Sequence, residues 1–109
     1  ILDNKQDNKL PDIPPQLLKA RATIDNIDAA LIHILAERFK CTQKVGYLKA
    51  ELGLKAEDKN REKQQVKRLR NLAEEAGLDP VFAEKFLKFI VEEVIRHHIG
   101  IAEQQNRNE

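Results

Sequence analysis

The stretch LIHILAERFKCTQKVGYLKAELG, residues 31–53, decides the fold of this 109-residue chain. Counted in sevens from Leu17, the a and d positions of a heptad repeat continue through this stretch, and ten of the eleven are apolar or small. These positions are Leu17, Ala20, Ile24, Ile27, Leu31, Ile34, Arg38, Cys41, Val45, Leu48 and Leu52. Apolar residues spaced three and four apart predict one long amphipathic helix. The exception is Arg38, whose charge lies in the middle of a face that otherwise excludes water.

The remaining sequence predicts two shorter helices and no strand, because no stretch alternates with a period of two. Asp58 suits the N-cap of the second helix. Farther along, Gly77 suits the residue after that helix, and Asp79 and Pro80 suit the N-cap and first turn of the third. The predicted helices cover residues 16–53, 59–76 and 80–105. The predicted fold class is all-α, with three helices of which the first is very long.

Residues 1–15 differ from the rest of the chain, because they are polar, contain three of the four prolines and show no periodicity. We expect a flexible or extended N-terminal arm over residues 1–15. Residues 16–109 form the predicted helical domain, and the length allows one small domain.

The overall composition argues against several classes of partner. Charged residues make up 34% of the chain, yet the formal net charge is only +1, so no basic excess supports nucleic-acid or membrane binding. Aromatic residues make up 5% and Trp is absent, which disfavours base stacking. The single cysteine is typical of a reducing compartment, and we expect a cytoplasmic protein.

The length of the first helix predicts a homodimer. Its roughly 37 residues make a rod of about 55 Å, whereas a compact domain of this size is only about 35 Å across. Two shorter helices cannot cover the whole apolar face, so we expect the first helices of two chains to pack together. The alternative is a monomer whose first helix bends or breaks, with Gly46 the candidate position.

The cations on this helix suggest a binding site. Arg38 and Lys49 are eleven residues apart, three turns almost in phase, and rise from one face about 16 Å apart. Their long side chains could converge on one small molecule. Arg21 lies about 26 Å from Arg38 along the axis, so it reaches the same ligand only from an antiparallel partner helix. A site that uses all three cations spans two chains.

The other helices add polar residues to inward faces. Glu62 lies on the apolar stripe of the second helix with Arg61 beside it, and His98 continues an apolar row of the third. Each polar residue has a structural interpretation on its own. Arg38 or Lys49 can extend its long side chain to the surface, Glu62 can form a surface ion pair, and His98 can be a hydrogen-bonded core histidine. Because an unpaired buried charge is costly, the set together favours one anion-binding pocket.

Metal and nucleophile chemistry find little support in the pattern. His97 and His98 diverge by about 100° on a helix, and no carboxylate or cysteine completes a ligand set with suitable spacing. We therefore expect no metal and no cofactor, and a cage of cations and hydrogen-bond donors instead.

Four segments in order resemble the all-helical class of chorismate mutase, and the resemblance covers about residues 17–105. They are LLKARATIDNID with Arg21, ALIHILAERF with Arg38, KVGYLKAELG with Lys49, and EDKNREKQQ with Asp58, Arg61 and Glu62. The resemblance implies an intertwined homodimer with two sites, each completed by an arginine of the other chain. It also implies the Claisen rearrangement of chorismate to prephenate, a step toward phenylalanine and tyrosine, with no metal or cofactor.

The same resemblance implies roles for individual residues. Arg38 and the partner subunit's Arg21 would hold the side-chain carboxylate of chorismate, and Lys49 would reach the ether oxygen and a carboxylate. Glu62, together with the backbone near Asp58, would accept the hydrogen bond of the ring hydroxyl. Catalysis would then come from restricting the substrate's conformation and from stabilising charge on the ether oxygen.

Three further positions complete the predicted site. Arg61 would help to hold the ring carboxylate or order the loop. Val94 replaces a serine that contacts the ring carboxylate in familiar bacterial members, and His98 replaces a glutamine that donates to the ether oxygen. A neutral imidazole has a single donor and serves only in the right tautomer, whereas an imidazolium serves better. We therefore expect activity to depend on pH through His98.

Two other functions fit parts of the pattern. One is an isochorismate-pyruvate lyase on the same scaffold, although the spacing between Lys49 and Arg61 and the presence of Asp58 and Glu62 match the mutase better. The other is a non-catalytic helical dimerisation module, in which the apolar face matters and the cations do not.

Overall fold

The computed structural model describes residues 12–108. They form three α-helices, α1 (Pro15–Leu52), α2 (Lys59–Ala76) and α3 (Pro80–Asn108), and no strand occurs among them. The predicted all-α class with a very long first helix is confirmed. Most of the expected N-terminal arm, residues 1–11, lies outside the described residues, and helix α1 already begins at Pro15.

The helix boundaries follow the predicted capping residues closely. At the end of α1, Gly53 takes a φ of 68° and the Leu54 N–H donates to the Lys49 carbonyl at 2.8 Å. At the end of α2, Gly77 takes a φ of 75° and the Leu78 N–H donates to the Ala73 carbonyl at 2.8 Å. Both ends are Schellman motifs, in which a left-handed glycine lets the last carbonyls find donors.

Aspartates start the other two helices. The Asp58 carboxylate accepts from the Arg61 N–H at 3.0 Å, and the Asp79 carboxylate accepts from the Val81 N–H at 2.9 Å. Each aspartate thereby satisfies one of the free donors of a first helical turn. Helix α3 continues to Asn108, beyond the predicted end near residue 105, because no glycine or proline interrupts its polar final turns.

The chain divides after Ala36 into an N-terminal unit and a C-terminal unit. In the N-terminal unit, every residue from 12 to 36 is exposed except Leu35, which is half-buried. The exposed residues include apolar heptad positions such as Ile27 and Ile34, at 60% and 64% exposure. The apolar face of this part of α1 is therefore open to solvent in the single chain.

The C-terminal unit contains the remainder of α1 with α2 and α3. Its buried apolar residues lie where α2 and α3 pack, with Ala73 facing a stripe of α3 formed by Ala83, Leu87 and Ile90. The small alanines allow close approach of the two helices. Continuing the same helical spacing along α3 leads to His98, which is also buried. A break of α1 at Gly46, which was the alternative to a dimer, does not occur, since the helix continues to Leu52.

None of the helices in residues 12–108 has an apolar stretch long enough to cross a bilayer.

Candidate active site

One cavity of about 180 Å³ in the C-terminal unit collects polar side chains from all three helices. We call it the cationic pocket. Its lining residues are Arg38, Thr42, Val45, Lys49, Ala56, Asp58, Arg61, Glu62, Gln65, Val91, Val94, Ile95 and His98. The contributions of α1 and α3 follow helical spacings of three and four residues, so each helix presents one face to the pocket.

Arg38 is the most informative residue of the pocket. Its side chain is half-buried, and its Nη1 atom is buried without a hydrogen-bond partner among the residues described. Arginine cannot shed its charge, and a buried donor left unpaired costs free energy. At least this end of the guanidinium is turned away from solvent, and its free donor is suited to an anion.

Lys49 places a second cation on the same face of α1, about three turns after Arg38. Its Nζ donates to the Ala56 carbonyl at 3.1 Å, which ties the helix to the segment between α1 and α2. An ammonium group has three N–H donors, so this bond leaves donors for a ligand. The bond also helps to position Asp58 and the start of α2, which follow directly.

The start of α2 supplies both signs of charge. Asp58 uses its carboxylate as the helix cap, so the backbone of this turn is held in place. Arg61 is exposed and Glu62 is half-buried, and both line the pocket. With Arg38 and Lys49, the lining carries three cations against two carboxylates, so the pocket has a net positive charge when His98 is neutral.

His98 closes the pocket from α3 and is only 4% exposed. Its Nε2 lies 2.7 Å from the Thr42 carbonyl oxygen, across 56 residues of sequence. A carbonyl oxygen can only accept, so Nε2 carries the proton and donates. The other ring nitrogen, Nδ1, is buried and has no partner in the described part of the chain. Val94 adds an apolar side chain to the lining from the same helix.

The pocket thus brings together seven of the eight residues expected from the sequence: Arg38, Lys49, Asp58, Arg61, Glu62, Val94 and His98. Arg21 is exposed in the N-terminal unit and does not line the pocket. Two polar lining residues were not anticipated, Thr42 and Gln65. The signal for both was present, because each lies three or four residues from a predicted site residue on the same helix face.

Two carboxyl groups with displaced pKa values lie outside the pocket. The Lys88 and Arg70 side chains, which hydrogen-bond Glu84, hold the pKa of that carboxyl below its usual value. The Arg96 side chain does the same for the pKa of Glu93. Both pairs are ordinary features of helix surfaces. Within residues 12–108, no three His, Cys, Asp or Glu side chains are grouped to hold a metal ion.

The fold and the pocket together define an all-α protein whose cations and hydrogen-bond donors line one small cavity, an arrangement suited to a small anionic ligand. A family model described as chorismate mutase type II matches residues 20–99. The chain is also 30% identical over 98 residues to a chorismate mutase of Methanocaldococcus jannaschii, across 85% of this chain and 95% of that protein.

The chain therefore belongs to the type II chorismate mutase family. The expected family, its isomerase activity and its class of enzyme are confirmed by this membership. Neither comparison favours the lyase or the non-catalytic dimerisation module.

Proposed function

We propose that the cationic pocket binds chorismate and converts it to prephenate by conformational restriction and electrostatic stabilisation. The observation that carries this proposal is the unpartnered Nη1 of Arg38 in a pocket that Lys49 and Arg61 also line. Chorismate is a dianion whose flexible side chain must fold over its ring before the bond between them forms. Fixed cations suit that task, since they hold both ends of the molecule in one geometry.

The rearrangement requires the protein mainly to position the substrate and to stabilise developing charge. As the ether bond to the ring breaks, negative charge develops on the ether oxygen, and a donor aimed at that oxygen lowers the barrier. We assign this role to Lys49, whose ammonium group has donors beyond its bond to Ala56. His98 is the second candidate donor. The Thr42 hydroxyl is bonded to the Phe39 carbonyl at 3.1 Å, so it is not poised as a nucleophile.

The remaining groups orient the substrate. Arg38 presents the planar fork that binds a carboxylate through two hydrogen bonds. We assign to Glu62, together with the backbone near Asp58, the role of accepting from the ring hydroxyl. Arg61 helps to hold the ring carboxylate or to order the loop. Val94 offers that carboxylate no hydrogen bond, so Arg61 carries more of the contact than it would beside a serine.

We further propose that the active form is a homodimer in which the partner subunit's Arg21 completes the pocket. The exposed apolar heptad positions of α1 support this assembly, since each of them loses contact with water when another helix packs on that face. A second copy of α1 also supplies Arg21, which the single chain leaves exposed. Dimerisation through α1 would therefore both cover the exposed apolar face and bring Arg21 to the pocket.

The activity is tested by following the loss of chorismate absorbance with the purified protein and identifying prephenate as the product. Isochorismate is assayed in parallel, because pyruvate released from it would instead indicate a lyase. Absence of turnover on either substrate, with helicity intact, would contradict the proposal.

The shared pocket is tested by mixing two inactive variants, Arg21→Ala and Arg38→Ala, after unfolding and refolding together. In a mixed dimer, one pocket has both arginines and the other has neither. Random mixing makes half of the dimers mixed, so activity should recover to about a quarter of the wild-type value. Refolding each variant alone is the control. No recovery on mixing, with dimers present, would refute the contribution of Arg21 across subunits.

A further inference from the structure

Gly46 lies in the interior of α1, where glycine is less favourable than alanine. Its backbone does not require glycine, because only Gly53 and Gly77 have a positive φ in the described chain. It is also the buried glycine of α1. Space explains the residue better: a Cβ built on Gly46 would lie 2.6 Å from Cδ2 of His98 and 2.9 Å from Cδ1 of Ile101. The first of these atoms belongs to a rigid ring.

The space left by the missing side chain of Gly46 lies next to the carbonyl of Thr42, where it allows a hydrogen bond. In an α-helix, the N–H of residue 46 bonds to the carbonyl of residue 42, so any side chain at 46 lies beside that carbonyl. The same carbonyl accepts from His98 Nε2 at 2.7 Å. A methyl group at residue 46 would lie 3.1 Å from Nε2 itself. The ring reaches the carbonyl only because residue 46 has no side chain.

The bond to Thr42 decides what His98 can offer a ligand. With the proton held on Nε2, the neutral ring has a bare Nδ1, which accepts a hydrogen bond and cannot donate one. Nδ1 is buried and unpartnered in the residues described. A proton added to Nδ1 would be repelled by the cations that line the pocket and attracted by its carboxylates. The charged lining residues are Arg38 and Lys49 from α1, the N-cap residue Asp58, and Arg61 and Glu62 from the start of α2; α3 adds no charged residue to the lining.

We propose that Gly46 is a positioning residue that lets the Thr42 carbonyl fix His98 as the Nε2–H tautomer, so that His98 donates to bound substrate only when Nδ1 is also protonated. The inference rests on the proposed function for its kinetic consequence, but the tautomer itself is a property of the free protein. Through Nδ1 the neutral ring can only accept a hydrogen bond, so only the imidazolium can donate to a ligand from that nitrogen.

The tautomer is measured by NMR of the ring nitrogens of His98 in the free, folded protein. The expected result at alkaline pH is a proton on Nε2 and none on Nδ1. Gly46→Ala should shift the ring toward the mixture of tautomers of a free imidazole, because the ring is displaced from the Thr42 carbonyl. A wild-type ring protonated on Nδ1, or an unchanged tautomer in Gly46→Ala, would overturn the proposal whether or not the protein turns over chorismate.

The kinetic test follows kcat/KM from pH 5 to 8, the range in which an imidazole changes charge. The wild-type value should rise as the pH falls, whereas His98→Gln, whose amide donates at every pH, should give a flat profile. A flat wild-type profile, or one that rises with pH, would contradict the inference. If the protein does not turn over chorismate at all, the proposed function is refuted. The NMR measurement would still determine the tautomer of His98.

A double-mutant cycle separates positioning from helix stability. Gly46→Ala should lower kcat/KM about tenfold or more in the wild type and much less in a His98→Ala background, where the ring is absent. Gly100→Ala is the matched control, since Gly100 is also helical but a Cβ there would meet nothing within 4 Å. Equal losses from Gly46→Ala in both backgrounds would assign the effect to the helix and refute the positioning role.

Discussion

Replacing Arg38 with methionine should separate activity from stability. Methionine keeps an unbranched apolar chain on the face of α1 and removes only the guanidinium. If the role of Arg38 is to bind an anionic ligand, removing its charge should not destabilise the folded protein in the absence of substrate. We therefore expect Arg38→Met to lose activity while remaining at least as stable as the wild type.

The size of both effects can be worked from the surroundings of Arg38. Hydrogen bonds to charged groups contribute about 1.5–3 kcal/mol each, so a bidentate contact to a carboxylate is worth about 3–6 kcal/mol. At 1.4 kcal/mol per factor of ten, kcat/KM should fall by about 10² to 10⁴. In the opposite direction, the variant relieves one buried, unpartnered donor. Because the side chain is only half-buried, we take the low end of the penalty and expect a gain of about 1 kcal/mol in the free energy of unfolding.

Steady-state kinetics with chorismate and urea unfolding followed by circular dichroism measure the two quantities. The matched control is Arg68→Met, which removes an exposed arginine of α2 that does not line the pocket. That variant should change neither quantity appreciably. The reasoning is refuted if Arg38→Met keeps more than about a tenth of the wild-type kcat/KM, or if its activity falls only in step with lost helicity.

Two further variants test other parts of the structure. Lys49→Met should lower kcat by about 10², because a donor aimed at a developing negative charge acts mainly in the transition state; a change confined to KM in steady-state kinetics would assign Lys49 to ground-state binding instead. Glu84→Gln should destabilise the protein at neutral pH and progressively less at acid pH, as judged by urea midpoints across pH. The pKa of Glu84 is lowered from 4.5 in the folded state by Lys88 and Arg70, so its contribution is present above pH 4.5 and disappears as the pH falls through the folded value. Equal destabilisation by Glu84→Gln at neutral and acid pH would show that the ion pairs are not the cause.

Much of the architecture was predictable because its determinants are local. Heptad spacing predicts α1, and the capping aspartates and glycines mark the ends of α2 and the start of α3, since each acts on neighbours within five residues. The pocket residues of each helix were predictable in the same way. Arg38 and Lys49 share a face of α1 by spacing alone, whichever helices then pack against that face.

The family and its activity were also predictable from the sequence, because four segments in order carry the resemblance and the comparisons bear it out. The sequence did not predict Thr42 and Gln65 in the lining. Their spacing from Arg38 and Glu62 places them on the same helix faces, but both side chains are uncharged, and only the assembled pocket shows that they line it.

What the sequence determined by itself is therefore the set of helices and the face on which each charged residue lies. Only the tertiary structure decided how those faces meet. The proton on His98 is assigned by a carbonyl 56 residues away, and access to that carbonyl depends on the missing side chain of Gly46. Helical periodicity places a residue on a face, but the partner of a buried polar atom depends on contacts between helices, which no local pattern encodes.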